Sequence, residues 1–250
     1  MRETVAPKRK RINACEGCQT GCSYIFQSLS PEAFSEITSL MRPMELGPGE
    51  AVFHEGMPAF GLYILCRGKV KLAKHTRGGH SQILKLLGPG EILGEKTLFD
   101  QETYTCYAKT LEPSRIMFIP REEFLAFVKR YPDVALRLIE KLSRELKVFG
   151  DKLVEITSRS AKERVARVLL ELARAFGEEG EEGLDVGVEL PRAELAEMAG
   201  VSTETAIRIL SELKDRGILA LPGHRILIKK LEALQGLAHP FRTFLRENLV

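Results

Sequence analysis

Between Gly47 and Gly94, apolar residues come in short runs, each closed by a Gly-Pro, Gly-Gly or Pro-Gly signal. Ten of the 21 glycines fall in this interval. Short runs punctuated in this way predict antiparallel strands folded into a barrel or sandwich. Within GLYILCRGKVKL the alternation places Leu62, Ile64, Cys66, Val70 and Leu72 on one face.

After Tyr131 the period lengthens. Pro132 suits a helix start, and Ala135, Ile139, Leu142, Leu146, Phe149, Leu153 and Ile156 follow at alternating steps of four and three. A globular helix carries a wider apolar stripe. The seam therefore predicts a long helix over 132–158 that pairs with a second copy of itself; a helix lying on its own domain is the alternative. Gly150 interrupts it at a propensity cost of about 1 kcal/mol. A further helix is expected from Ser160 to Phe176, stopped by Gly177, and the acidic EEGEEG after it reads as a solvated turn.

Residues 190–217, LPRAELAEMAGVSTETAIRILSELKDRG, carry the strongest local pattern. Pro191 suits the first position of a short helix, Gly200 a tight turn, and Ser202 the cap of a second helix. That second helix buries Ala206, Ile209, Leu210 and Leu213 and stops at Gly217, which makes a helix-turn-helix. Ser202, Thr203, Glu204, Thr205, Ile207, Arg208 and Ser211 are then the candidate DNA contacts. Arg pairs bidentately with guanine, and Glu accepts from cytosine N4. An ordinary i, i+4 ion pair between Glu204 and Arg208 is the alternative. The next segment, ILALPGHRILIKK, favours DNA: it predicts a hairpin wing around Pro222-Gly223, with His224, Arg225, Lys229 and Lys230 placed for phosphates.

Composition narrows the class without choosing it. The 250 residues are 44% apolar and 28% charged, as in a folded soluble chain. A net charge of +3 neither argues for nor against nucleic acid. No apolar run is long enough to span a membrane and no secretory signal is visible, so a cytoplasmic protein with no membrane partner is expected. GxSxG, HExxH and P-loop motifs are absent, so no enzyme is expected. Three of the five cysteines crowd into ACEGCQTGCSY (14–24) as Cys15, Cys18 and Cys22. In a reducing compartment such a cluster reads as metal-binding or redox-active.

With these segments in this order, residues 24–235 resemble the CRP/FNR family of bacterial transcription regulators. GPGEILGEKTLF (88–99) is similar to the family's effector-loop motif, and VSTETAIRIL (201–210) to its recognition helix. The resemblance implies an α+β protein. An N-terminal antiparallel β-roll of cyclic-nucleotide-binding type (24–131) would lead into a dimerisation helix (132–158) and a winged helix-turn-helix (159–237). A cysteine-rich segment (1–23) and a tail (238–250) would flank them. It further implies a homodimer on palindromic double-stranded operator DNA with a TGA-like core, read by Glu204 and Arg208, and RNA polymerase as a partner.

Two kinds of sensor occur in the family. In cAMP-binding relatives a Gly-Glu pair grips the ribose and an Arg-Ser pair the phosphate. Gly94 and Glu95 match the first pair, but the second falls on Tyr104-Thr105. The phosphate-neutralising arginine is missing, which points away from cAMP. The FNR branch holds a 4Fe-4S cluster on N-terminal cysteines, and Cys15, Cys18 and Cys22 fit that role, with a shorter second gap than the family's. The family's fourth cysteine falls on Met117, two residues before Ile119-Pro120. Cys106 is taken as the fourth ligand, and Cys66 as a small core residue. Oxidation of the cluster would weaken the dimer and release DNA. The alternatives are a structural zinc, a Cys15–Cys18 thiol switch, haem on His75 and His80, and a small effector in the β-roll.

Overall fold

The structure is a computed structural model that describes residues 23–27, 29–76, 81–99 and 103–238, with the backbone alone for 151–158. Cys15, Cys18, Cys22, His80 and the side chains of Leu153 and Ile156 lie outside the described residues. The chain divides into two compact units. One lies within residues 1–70 and 87–141, the other within 71–86 and 142–250.

The first unit is built on an antiparallel sheet. β1 (Arg42–Leu46), β8 (Ser114–Pro120), β3 (Gly61–Arg67) and β6 (Ile92–Leu93) lie side by side in that order. Strand β2 (Ala51–Phe53) pairs with β7 (Tyr107–Thr110) through a register shift. Central β3 is buried along Gly61–Cys66. Leu62, Ile64 and Cys66 share a core cluster with Met117, Ile119 and Phe124, while Tyr63 packs among Phe53, Tyr104 and Phe118. The one-face reading thus holds for Leu62, Ile64 and Cys66. It does not show that the opposite face is covered too, with Tyr63 against Phe53 and Tyr104. Leu72 is only half-buried. Gly61 must lack a side chain, since a Cβ there would stand 2.1 Å from the Ile119 carbonyl oxygen.

Helix α1 (Pro31–Leu40), capped by Ser30, and α2 (Arg121–Arg130) add Ile37, Phe124 and Phe127 to the same core. Helix α3 runs from Pro132 to Ser158. Its first turns bury Val134 and Leu138 in that core, with Ala135 packed against it. Each such aliphatic side chain contributes roughly 1.5–3 kcal/mol.

In the second unit, strands β4 (Val70–His75) and β5 (Ser81–Leu87) pair as neighbours. Helix α4 (Ala161–Phe176) starts at a capping box: Ser160 accepts from the Glu163 backbone N–H and Glu163 reaches back. It ends at Gly177, as its sequence predicts. The acidic segment is not a simple turn. β9 (Glu178–Gly180) and β10 (Gly183–Asp185) form a hairpin that extends the wing sheet, ordered β11 (Leu219–Ala220), β12 (Leu227–Ile228), β10, β9. The pairing Leu184↔Ile228 joins residues far apart in sequence, so nothing local announces it. Helix α7 (Leu231–Ala238) packs Leu234 into the core.

Candidate nucleic-acid interface and sensor site

Helix α5 (Arg192–Ala199) begins after Pro191, which stands at its cap rather than inside its first turn. Gly200 ends it in the left-handed region at φ 62°, a conformation that favours glycine. Ser202 Oγ then accepts from the Thr205 backbone N–H at 3.2 Å and caps α6 (Thr203–Asp215). Ala206, Ile209, Leu210 and Leu213 are buried, the face expected of them. Ser202, Glu204, Ile207, Arg208 and Ser211 are exposed, whereas Thr203 and Thr205 are half-buried. The Glu204 carboxyl is held below its ordinary pKa by its own backbone N–H and by the Ser202 hydroxyl.

The wing hairpin turns at Pro222-Gly223, with Gly223 at φ 63°. Its cations differ in availability. Arg225 donates Nε (2.8 Å) and Nη2 (2.5 Å) to Asp185, which raises its pKa above the ordinary value. Asp185 also accepts from the Gly187 N–H, so the pair braces the wing. Arg225 thus meets Asp185 through Nε and Nη2, while its side chain stays about half exposed and its other N–H donors lie outside that pair. Lys229 Nζ donates to the Glu182 carbonyl at 2.5 Å and keeps two further N–H groups. His224 is exposed.

At the effector loop Gly94 has φ 85°, and a Cβ there would stand 2.7 Å from the Gly61 carbonyl oxygen. Glu95 is buried at 4% exposure and receives a 2.5 Å bond from Lys141 of α3. Tyr104 turns inward. It stacks on Phe53 at 4.1 Å, lies 6.4 Å from Tyr63 and donates to the Gly61 carbonyl at 3.2 Å. Burial raises the pKa of both phenols. Thr105 is exposed. Of the four residues proposed for an effector, Gly94 lies close to the Tyr104 ring, and Glu95 and Tyr104 are already engaged.

Cys66 is buried, with its Sγ 3.8 Å from the Ile64 carbonyl oxygen. Cys106 is half-buried just before β7. Among the described residues no three His, Cys, Asp or Glu side chains converge on a metal position. Sequence reasoning missed the residues around Tyr24. The Tyr24 hydroxyl donates to Glu140 of α3, its ring lies 5.4 Å from the Arg137 guanidinium carbon, and Ile25 and Phe26 enter the core beside Val134 and Leu138. Seam residues Ile139 (58%), Leu146 (73%) and Phe149 (57%) are exposed on α3, as is Leu136, while Leu142 is half-buried.

A glycine-rich β-roll followed by a long helix and a winged helix-turn-helix defines a class of DNA-binding regulators with an N-terminal sensor. The comparisons agree with that class. Residues 43–131 match the cyclic nucleotide-binding domain and 163–237 the Crp-like helix-turn-helix domain. The chain is 31% identical over 210 residues to the CRP-like cAMP-activated global transcriptional regulator of Mycobacterium tuberculosis, covering 84% of this chain and 94% of that protein. It is 24% identical over 225 residues to the fumarate and nitrate reduction regulatory protein of Salmonella typhimurium, covering 90% of each. The c-di-GMP responsive global regulator CLP of Xanthomonas campestris shares the fold at a TM-score of 0.72 and 22% identity, over 80% of this chain and 100% of that one. The chain belongs to the CRP/FNR family and is a DNA-binding transcriptional regulator. Among the described residues no helix is long and apolar enough to cross a membrane.

Proposed function

We propose that this regulator is a homodimer that reads redox state through a 4Fe-4S cluster on Cys15, Cys18 and Cys22 and passes it to DNA through α3. The observation that carries the reading is Tyr24. Two residues after Cys22, it is fastened to Glu140 and Arg137 on the helix whose outer seam would form the dimer. A change at the cysteines thus has a short mechanical route to the pairing surface. A cluster would supply oxygen-sensitive chemistry. The chain's own part is to hold thiolates, anchor the segment that follows them and set the spacing of two α6 helices on a palindrome.

The fourth ligand has two candidates. Cys106 lies near in sequence to the strand on which the family carries its ligand. Cys66 gains support from packing: it shares a buried cluster with Met117, where the family carries its cysteine, and with Ile25 and Phe26, which follow Cys22. Cyclic nucleotide is disfavoured as the effector because Tyr104 fills the space beside Gly94 and Lys141 engages Glu95.

On DNA, Glu204 and Arg208 would read base edges, and Lys229 and His224 would meet phosphates. Anaerobic purification tests the sensor. Iron and acid-labile sulfide with visible charge-transfer absorption are expected, lost in Cys15→Ser and in whichever of Cys66→Ala and Cys106→Ala removes the fourth ligand. Stoichiometric zinc, or iron-free protein that binds its promoter equally with and without air, overturns it.

A further inference from the structure

Arg164 lies in the first turns of α4, half-buried, and its guanidinium bonds three backbone carbonyls. Nε donates to Ala199 at 2.9 Å, Nη1 to Arg159 at 2.8 Å and Nη2 to Gly200 at 3.1 Å. Two of these acceptors close the C-terminal end of α5, where helical carbonyls lack intrahelical partners and a cation is favoured. The third is the residue that follows the end of α3. Two residues beyond Gly200 stands Ser202, the cap of the recognition helix. One planar fork therefore joins the α3–α4 junction to the turn that launches α6.

We propose that Arg164 is a positioning residue for operator recognition. It fixes the direction of α6 relative to that junction through main-chain bonds, without itself reading a base. A guanidinium has several donors in a rigid plane and reaches three diverging acceptors at once. A lysine ammonium is a point charge on a flexible stem and does not reproduce that bridge. The carbonyls it holds belong to the turn, so its loss leaves the outward face of α6 chemically intact while its aim is lost.

The test uses the full chain and two probes: the duplex that the unmodified chain enriches from a random-sequence pool, and a scrambled duplex of equal length. Binding is followed by fluorescence anisotropy across a salt series. Arg164→Ala and Arg164→Lys are expected to lose about tenfold or more on the enriched duplex, the size of one base contact. Affinity and salt slope on the scrambled duplex should stay near those of the parent. Should the alanine variant not fold, the lysine variant, with its thermal midpoint checked, carries the test. Equal losses on both duplexes, or a salt slope lowered by about one, would show a general structural role or a direct phosphate contact and overturn the proposal. Full affinity of Arg164→Lys would overturn it as well, since charge alone would then suffice.

Discussion

Arg208 and Lys229 occupy different surfaces of the DNA-binding unit, and their substitution should separate specificity from affinity. Arg208 is exposed on α6, four residues after Glu204. Arg208→Ala is expected to cost about 1–3 kcal/mol on the operator and to relax preference at one base position. Lys229→Ala should weaken all sequences alike and lower the salt slope by about one, as measured by titration on operator and scrambled duplexes. The buried phenols of Tyr63 and Tyr104 make a prediction about pH. Both are neutral in the folded protein, and burial raises them above the ordinary 10.0, so the unfolded chain releases those protons first. Their stabilisation is complete below about pH 10 and falls as pH rises above it. Tyr104→Phe removes one of the two, so alkaline unfolding followed by circular dichroism should move to higher pH. The roles of Arg208 and Lys229 were legible from residue type and position; the burial of the phenols was not. Tyr104 was legible as a departure from a phosphate-binding pair, but that its ring turns inward depends on Phe53 and Tyr63, brought to it by the fold.

Among the elements, α3 divides its labour along its length. Val134 and Leu138 serve the core of the first unit, while Leu136, Ile139, Leu146 and Phe149 remain exposed. A run of exposed large apolar side chains marks an interaction surface, and the four-three spacing suits a second copy of the same helix. Leu146→Asp removes no core contact, because the side chain is 73% exposed. It should give a folded monomer by size exclusion with light scattering, and a persistent dimer would exclude this seam. The exposure of Ile139, Leu146 and Phe149 was legible because their spacing is periodic over one helix, whereas Ala135, at the start of that spacing, packs against the core. The Val134 and Leu138 positions were not, since they answer to strands and helices elsewhere in the chain. The acidic hairpin was misread for a related reason. Glu178–Gly180 and Gly183–Asp185 have few apolar residues of their own, and their strand character comes from pairing with Leu227–Ile228.

For the whole molecule, the proposed signal enters near Cys22 and leaves at α6. Glu140→Ala tests the first link. It removes the acceptor of the Tyr24 hydroxyl from an exposed site on α3. Iron and sulfide content should stay at the parent level, while the shift from dimer to monomer on exposure to air shrinks, measured by analytical ultracentrifugation before and after oxidation. A variant that loses its iron, or one whose air-induced shift is unchanged, would break the proposed route.

The order of sheet, long helix and helix-turn-helix was written in the sequence, because hydrophobic period, caps and glycine turns act within a few residues of one another. Ser160, Gly177, Ser202 and the buried face of α6 are examples in which local chemistry and final structure agree. Tertiary structure decided which polar groups are committed and which remain available. Arg225 pairs with Asp185, Glu95 with Lys141, and Arg164 with three carbonyls. These partners lie between 5 and 46 residues away along the chain. A charge's partner at such separations is set by how the elements pack, and packing is a property of the whole fold.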